Sequence, residues 1–327
     1  YDALIAKYFN HRLSVSNPEY LSMSYRLGTS LRYGENPHQN AAFYEKVYEE
    51  NGAEWKQLHG KELSYNNYTD MYNAVRFVKE FSEPAVVGTK HNNPAGIGIG
   101  ETIDEAFDKA YACDATSLFG GIFALNRPVT KHIAEVLHSF FMEIVIAPDY
   151  EEEALSILEE KKNLRVIVMP NLASFTLPKK TVKEVLGGIL VQDYDDANLT
   201  EEMEVVSKRK PTEEEMRDLR FGFKAVKMVA SNGAVLVKDG ATLGIGQGQV
   251  RRTWAVEDAL SHGEGKHSGA VLASDGFFFA DTVELLQKHG IRAAIQPGGS
   301  VKDPEVIALC DQYGIALVMT HIRHFRH

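Results

Sequence analysis

The sequence predicts an α/β protein, because short apolar runs alternate with amphipathic segments along most of its 327 residues. Residues 84–89, 143–148 and 164–170 are short, apolar and bounded by proline, as the strands of a buried sheet are. Residues 104–111 and 130–137 have the apolar spacing of helices that cover one face of a sheet. The alternation of the two patterns indicates a sheet flanked by helices.

The second half of the chain repeats this pattern. Residues 232–238, 269–274 and 293–299 are short apolar strands that lead into polar, glycine-rich turns, and residues 315–320 form a further apolar run. We therefore expect a duplicated α/β unit. Residues 186–215 are polar and acidic between the two halves, and proline followed by acidic residues at 211–215 predicts the start of a helix.

These patterns divide the chain into four predicted parts. They are an N-terminal linker or helix at 1–20, a first lobe at 21–185, a helical connector at 186–220 and a second lobe at 221–327.

Composition limits the class of protein. The chain is 44% hydrophobic and can bury a large core, and its net charge of -10 argues against broad binding to nucleic acid. Cys113 and Cys310 are too few for a disulfide framework, and no apolar stretch approaches the roughly 18 residues typical of a membrane helix. We expect a cytoplasmic protein that does not bind a membrane. The start at Tyr1, without Met or a signal pattern, indicates a piece of a longer polypeptide.

Lys90 and His91 form an acid/base pair where the buried strand at 84–89 ends. Asn93-Pro94 and Gly96 predict a sharp turn after it. Ligands of open α/β sheets bind at strand ends, histidine moves protons near neutral pH, and lysine holds an anion or donates a proton. The alternative is a pair of surface residues on a loop.

Three further loops carry polar or glycine-rich motifs. Residues 32–39 (RYGENPHQ) pack a cation, an aromatic ring, an amide and an imidazole around a turn, although an ordinary polar turn is an equal alternative. Residues 114–121 and 244–249 are predicted loops whose backbone amides are able to approach a phosphate or a flat ring. The second, GIGQGQ, lacks the G-x-G-x-x-G spacing of a dinucleotide site.

The last residues of the chain offer a second candidate set. If residues 321–327 are extended, Arg323, Phe325 and His327 share one face, while His324 and Arg326 share the other. A cation, a ring and an imidazole on one face suit a phosphorylated heterocycle. The alternatives are a frayed basic tail, or a metal site of His321, His324 and His327, whose members a strand would divide between two faces.

Seven ordered motifs together resemble a known family. They are residues 32–39, 61–67 (KELSYNN), 90–94 (KHNNP), 117–121 (SLFGG), 244–249, 296–300 (QPGGS) and 323–327 (RHFRH). The chain closely resembles the formyltransferase portion of the bifunctional purine-biosynthesis enzymes that act on 5-aminoimidazole-4-carboxamide ribonucleotide (AICAR), and the resemblance covers nearly its whole length.

The resemblance implies a fold, a reaction and a partner. The fold is a pair of cytidine-deaminase-like lobes, and the protein is a homodimer with shared active sites. The reaction transfers a formyl group from 10-formyltetrahydrofolate to AICAR in IMP biosynthesis, with no catalytic metal. The start of the chain looks like the junction after the family's cyclohydrolase domain, so we expect no cyclohydrolase activity from this chain.

The resemblance also assigns roles to residues. Catalysis falls to Lys90, His91 and Asn232, with His91 relaying protons and Lys90 stabilising charge. Substrate binding falls to Arg32, Tyr33, Asn67, Glu143, Arg323, Phe325 and His327. Folate binding falls to Phe119, Gly120, Arg252, Thr253, Phe277, Phe278 and Asp281.

Two departures from the family pattern affect these roles. Ala95 stands where the family commonly has cysteine, so a thiol at that position is not essential here. The loop at 274–281 lacks a usual proline and is one residue shorter, which bears on Phe277, Phe278 and Asp281.

Two other functions compete with formyl transfer. A zinc deaminase needs a His or Cys before a Glu, together with a Pro-Cys-x-x-Cys pair. His262 and Glu264 supply the first part, but the two cysteines stand alone. A nucleotide-binding lobe without catalytic activity is the second alternative, and the intact Lys90, His91 and Asn232 argue against it.

Overall fold

The computed structural model describes residues 1–13, 15–47, 51–199 and 203–327. The helices are α1 (Asp2–Arg12), α2 (Tyr65–Val78), α3 (Ile103–Cys113), α4 (Lys131–His138), α5 (Glu152–Glu159), α6 (Glu213–Val226), α7 (Arg252–His262), α8 (Ala280–Lys288) and α9 (Asp303–Tyr313). The strands of the first half are β1 (Tyr25–Leu31), β2 (Ala41–Lys46), β3 (Lys56–His59), β4 (Ala85–Lys90), β5 (Asn93–Ile99), β6 (Ile122–Leu125), β7 (Ile144–Ala147), β8 (Arg165–Val168) and β9 (Lys180–Val185). Those of the second half are β10 (Gly188–Asp193), β11 (Glu204–Val205), β12 (Ala234–Lys238), β13 (Ala241–Gly246), β14 (Val271–Ser274), β15 (Ala293–Gln296) and β16 (Ala316–Met319).

Twelve strands form one mixed sheet, and the predicted α/β fold is confirmed. Their order is β11-β16-β15-β14-β12-β13-β5-β4-β6-β7-β8-β3. Strands β1–β2 and β9–β10 form two separate antiparallel hairpins.

The two halves of the sheet repeat the same pairing. In the first, β4 is antiparallel to β5 and β6, strands β6, β7 and β8 are parallel, and β3 is antiparallel at the edge. The second half pairs its strands in the same way: β12 is antiparallel to β13 and β14, strands β14, β15 and β16 are parallel, and β11 is antiparallel at the edge. The structure therefore contains the duplicated α/β unit that the sequence predicts.

The two halves join through β5 and β13. Gly98 pairs with Ala241, and the Thr242 hydroxyl accepts a hydrogen bond from the Ile97 amide at 2.9 Å. Helices α2 and α6 share one core on one face of the sheet, where the rings of Phe81 and Phe221 lie 5.5 Å apart. Helices α3–α5 and α7–α9 cover the other face in two separate clusters.

The structure corrects two predicted glycine turns. The sharp turn falls on His91 and Asn92, so Gly96 lies within β5, and Gly244 and Gly246 lie within β13. A Cβ atom on Gly96 would stand 2.1 Å from the Ala110 carbonyl of α3. On Gly244 it would stand 2.1 Å from the Ala259 carbonyl of α7. These glycines are required because a helix packs closely on each strand.

The predicted helical connector is only partly helical. Strand β10 pairs with β9, and β11 pairs with β16, so helix begins only at Glu213. Residues 186–215 are polar because much of the segment is exposed to solvent, not because it is helical. A two-stranded hairpin such as β9–β10 leaves both of its faces largely open to solvent. The predicted helix start is confirmed, since Thr212 and Glu215 form a capping box. The domain boundaries themselves stay a prediction.

Candidate active site

The predicted catalytic residues from both lobes lie at one edge of the twelve-stranded sheet. This edge is the row of strand ends on one side of the sheet, not one of its outermost strands. Lys90 pairs with Asn93, and Ala234, which follows Asn232 closely in the chain, pairs with both Gly246 and Ser274. Since β5 and β13 are antiparallel and pair at Gly98 and Ala241, their Asn93 and Gly246 ends share an edge. The parallel strands of the second lobe end at this edge, whereas those of the first lobe begin there. The sequence predicts a site at the carboxyl ends of strands. This position is found for β4 and for the parallel strands of the second lobe.

His91 is presented on a left-handed two-residue turn. His91 and Asn92 have φ angles of 52° and 65°, and the His91 side chain is exposed. The Asp70 carboxylate of α2 accepts a hydrogen bond from the Asn92 amide at 2.6 Å. Burial raises the pKa of Asp70, and the Asn92 hydrogen bond and the nearby His91 partly oppose that shift. Lys90 donates from Nζ to the Phe119 carbonyl at 2.7 Å.

The equivalent hairpin of the second lobe has the same scaffold without the histidine. Asp218 of α6 accepts hydrogen bonds from the amides of Asp239 and Gly240 at 2.9 and 2.8 Å. Asp239 has a φ angle of 53°, and Lys238 donates from Nζ to the Ser268 carbonyl at 3.0 Å. This turn lies at the opposite edge of the sheet. The two halves therefore share the turn, but they differ in its first left-handed residue, which is His91 in the first half and Asp239 in the second.

Asn232 is held in one orientation by its neighbours. Its Nδ2 donates to the Gln249 carbonyl at 2.6 Å, and its Oδ1 accepts from Nη2 of Arg252 at 2.7 Å. Arg252 also donates to the Gly233 carbonyl at 3.0 Å and forms a buried ion pair with Asp275. A residue assigned to the folate side thus contacts a residue assigned to catalysis.

In the terminal segment, His321 has a φ angle of 58° and is not extended, but from Arg323 onward the exposure of the side chains alternates as predicted. Arg323, Phe325 and His327 are exposed, whereas His324 is buried against Phe223. The Arg323 guanidinium lies 4.5 Å from the centre of the Phe325 ring, which lies 5.8 Å from the His327 ring. The cation, ring and imidazole therefore form one exposed set.

The metal alternative for this segment is wrong. His324 faces the opposite side from His327 and binds the Asp195 carboxylate at 2.7 Å. In the described ranges of the chain, no group of three His, Cys, Asp or Glu side chains is placed to hold a metal ion.

Gly276 brings the terminal segment to the Asn232 cluster. A Cβ atom at this position would stand 2.3 Å from Nη2 of Arg252 and 2.8 Å from Cε1 of Phe325. A larger residue at this position would displace one of these two side chains. Phe325, Arg252 and Asn232 are therefore neighbours at the same edge.

The remaining substrate residues form two groups. Arg32 lies 5.6 Å from the Tyr33 ring, in a segment that reaches the start of α2 through a 3.5 Å hydrogen bond from Asn66 to the Glu35 carbonyl. Asn67 is buried, and its side chain caps α2 by accepting from the Ser64 amide at 3.0 Å. Across the described residues, no hydrogen bond or ion pair joins Arg32 or Tyr33 to the His91 turn.

Glu143 forms the second group, next to the Phe119–Gly121 segment. Its amide donates to the Gly121 carbonyl at 3.0 Å, and its carboxylate accepts from Arg165 at 2.6 Å. Arg165 also donates to the Glu62 carbonyl at 3.0 Å.

The folate-assigned residues differ in exposure. The Phe119 ring is exposed 5.6 Å from Phe141, Gly120 donates to the Phe141 carbonyl at 2.8 Å, and Thr253 is buried without a partner for its hydroxyl. Phe277 is half-buried beside Phe279, and Asp281 pairs with Arg251 at 2.9 Å. Phe278 is fully buried in the core of the second lobe, so any ligand contact by this residue would come from its backbone.

The sequence alone does not reveal Asp70, Asp275 or Arg165. Each contacts a residue with a predicted role, but the contact is made between segments that are far apart in the chain. No local motif marks these residues, because their role depends on which helix or strand packs beside the edge.

Known proteins resemble this chain over its whole length. A family model described as the AICARFT/IMPCHase bienzyme matches residues 1–262. The bifunctional purine biosynthesis proteins PurH of Oceanobacillus iheyensis, Clostridium acetobutylicum and Bacillus subtilis are 50%, 51% and 48% identical to it over 331, 331 and 335 residues. Each alignment covers 100% of this chain and 64 to 65% of the relative.

The duplicated sheet and the shared edge define a two-lobed α/β protein whose candidate site draws on both lobes. The chain belongs to the AICARFT/IMPCHase bienzyme family. The resemblance predicted from the seven motifs is therefore confirmed. The chain spans about 65% of the length of the PurH relatives.

Proposed function

We propose that this chain transfers a formyl group from 10-formyltetrahydrofolate to the 5-amino group of AICAR, giving formyl-AICAR and tetrahydrofolate. The observation that carries the proposal is the position of Lys90, His91 and Asn232 at one edge of the sheet, although they come from different lobes. Membership of the AICARFT/IMPCHase family supports the same reaction.

The reaction requires two proton movements. The AICAR amine attacks the formyl carbon and forms a carbon–nitrogen bond, while the amine loses a proton. The bond between the formyl carbon and the folate nitrogen then breaks, and that nitrogen gains a proton. His91 is exposed and accepts the amine proton, and general acid/base catalysis of this kind contributes about 10²–10⁴-fold. Lys90 stabilises charge on the formyl oxygen or protonates the leaving nitrogen.

The exposed terminal set supplies the nucleotide site. Arg323 binds the phosphate as a charged donor, and Phe325 offers its ring face to the imidazole of the nucleotide. Arg32, Tyr33, Asn67, Glu143 and His327 complete the proposed nucleotide site. Arg252 orients the Asn232 amide by its 2.7 Å hydrogen bond, and Asn232 in turn orients the imidazole or the formyl group. Positioning matters as much as proton transfer because the reaction is bimolecular.

The proposed folate site consists of Arg252 together with Phe119, Gly120, Thr253, Phe277 and Asp281. Their shared feature is a position near the same edge, at the loops before β6 and around the starts of α7 and α8. Since folate acts as a co-substrate, we expect no resident metal.

A homodimer with shared sites is part of the proposal. The β9–β10 hairpin exposes apolar side chains in an otherwise polar segment, namely Val182, Val185, Leu186, Ile189, Leu190 and Val191. A concentration of exposed apolar side chains in one segment is typical of an interaction surface. Dilution should therefore lower specific activity, and full activity from a monomer identified by its mass in solution would overturn the shared-site arrangement.

The direct test is formyl transfer itself. Purified protein is mixed with AICAR and 10-formyltetrahydrofolate, and formyl-AICAR is measured by mass spectrometry beside tetrahydrofolate by absorbance. We expect both products in equal amounts. Absence of product from a dimeric sample would support the nucleotide-binding alternative.

The deaminase alternative is not supported. His262 contacts the Ile245 carbonyl through Nδ1 at 3.0 Å, and the two buried cysteines lie on different helices, Cys113 on α3 and Cys310 on α9. Burial raises the pKa of Cys113 to about 11 and that of Cys310 to about 12, so both thiols stay protonated at neutral pH. Ammonia release together with bound zinc would revive a deaminase function.

We propose a cytoplasmic location for this activity. Within the described part of the chain, none of the helices is both long enough and apolar enough to cross a membrane.

A further inference from the structure

The side chain of Arg326 connects the two lobes beside the candidate active site. Its Nη2 donates to the Asn92 carbonyl at 2.8 Å, and Asn92 is the second residue of the His91 turn. Its Nη1 donates to the Met228 carbonyl at 2.7 Å, just after α6. Longer contacts of 3.4 Å reach the side-chain oxygens of Asn73 and Asn93. One guanidinium thus spans the turn of the first lobe and the end of a second-lobe helix.

The backbone of Arg326 is bound to the segment that carries Asn232. The Arg326 amide donates to the Ser231 hydroxyl at 3.0 Å, and the Ser231 amide donates to the Arg326 carbonyl at 3.0 Å. The Ser231 hydroxyl in turn donates to Asp275, the partner of Arg252. Arg326 therefore contacts the His91 turn through its side chain and the Asn232 segment through its backbone.

The surroundings fix the guanidinium rather than leave it in solvent. Arg326 is half-buried, and its Cζ lies 5.2 Å from the centre of the Phe77 ring. Burial, with help from the charge of Arg76, lowers the pKa of Arg326 to about 10, so the group remains a cation at neutral pH. Its hydrogen-bond acceptors at normal distance are carbonyl oxygens that a planar fork reaches together and a lysine amine does not.

We propose that Arg326 is a positioning residue that holds the His91 turn in register with Asn232. The proposal rests on the proposed formyl transfer, in which both residues act on one reacting centre. Arg326 lies on the inward face of the terminal segment, opposite Arg323, Phe325 and His327. It acts through the turn rather than through a contact with the substrate.

Loss of this contact should lower turnover more than binding. The His91 turn has two consecutive left-handed residues, which depend on surrounding hydrogen bonds to persist. Displacement of a catalytic group by about 1 Å costs roughly 10²-fold in rate. The nucleotide-binding set on the outward face keeps its own contacts, so the Michaelis constants should stay within about threefold.

The test compares Arg326→Gln with Arg220→Gln in the full chain. Arg220 is an exposed arginine of α6 that lines a cleft with Glu83 and Asn126 at the opposite edge of the sheet. We expect Arg326→Gln to lower kcat by about 10²-fold with little change in KM, and Arg220→Gln to match the unaltered chain. Unchanged kcat in Arg326→Gln, or raised KM with unchanged kcat, would overturn the proposal.

Arg326→Lys covers the case in which the glutamine variant does not fold. It keeps the charge but loses the fork, so kcat should again fall while KM holds. Full kcat in a folded Arg326→Lys protein would show that charge alone suffices and would overturn a positioning role.

A second readout separates this inference from the proposed reaction. The imidazole signals of His91 are assigned by their loss in His91→Asn and are then followed by NMR. Arg326→Gln or, where that variant does not fold, Arg326→Lys should shift them, and Arg220→Gln should not. If the unaltered chain forms no formyl-AICAR, the proposed function fails, but a shifted His91 signal would still support the contact. An unshifted signal would overturn it.

Discussion

Nη2 of Arg252 donates to the side-chain oxygen of Asn232 at 2.7 Å, while Nη1 pairs with the buried carboxylate of Asp275. The arginine side chain is 7% exposed and the aspartate side chain is fully buried. One cation therefore both orients a proposed catalytic amide and compensates a charge in the interior. The same side chain therefore affects both the stability of the second lobe and the geometry of the site.

Replacing Arg252 with Met should lower the free energy of unfolding. The change leaves the Asp275 charge buried without a partner, which costs about 3–5 kcal/mol. Urea denaturation measures the loss as a lower free energy of unfolding. The matched control is Arg251→Met, because that arginine forms an exposed pair with Asp281 and should cost at most about 1 kcal/mol. Equal losses in the two variants would contradict the buried role.

Replacing His91 with Asn should reduce turnover far more than AICAR affinity. Asparagine tolerates the left-handed backbone at this position, so the turn is retained while the proton relay is lost. We expect a fall in kcat of about 10²–10⁴-fold, measured beside the dissociation constant for AICAR. Asp239→Asn changes the equivalent turn at the opposite edge and should leave both values unchanged. Weaker binding with unchanged turnover would argue against proton relay.

Replacing Arg323 with Ala should weaken binding of the phosphorylated substrate. A hydrogen bond to a charged group contributes about 1.5–3 kcal/mol, which corresponds to a loss of roughly 10–100-fold in affinity. Calorimetric titration with AICAR measures this loss. The nucleoside without phosphate serves as the control ligand, and an identical effect on both ligands would rule out phosphate binding by Arg323.

Asp195→Asn should reveal a pH-dependent contribution to stability. Burial opposes ionisation of Asp195, but the hydrogen bond and charge of His324, with Lys227, outweigh it and hold its pKa below the ordinary 3.8. A lowered acid pKa means that the unfolded chain binds more protons between the two values. The stabilisation is therefore present at neutral pH and is lost as pH falls through the folded-state pKa. Denaturant unfolding should show a larger difference between the two proteins at neutral pH than at about pH 3, where more of the Asp195 carboxyl is protonated. The same difference at both values would contradict this linkage.

The sequence predicts those features that depend on neighbouring residues. Alternation in the terminal segment places Arg323 and Phe325 outward and His324 inward, because an extended chain fixes side-chain direction locally. The helix start at Thr212 follows from the capping residues alone.

Features that depend on packing between distant segments are not predicted in this way. Gly244 resembles a loop glycine, yet its role is to admit the Ala259 carbonyl of α7. Phe277 and Phe278 are adjacent rings in one loop, and only the core decides that Phe278 points inward. Asp70 contacts the His91 turn from a helix whose own pattern contains no sign of that turn.

The opposed directions of the two halves have a consequence for the composition of the site. Because the first lobe supplies strand beginnings and the second supplies strand endings, a single copy of the repeat contains only half of the edge. The two edges are therefore free to differ, because each turn belongs to a different part of one chain, with His91 at one turn and Asp239 at the other.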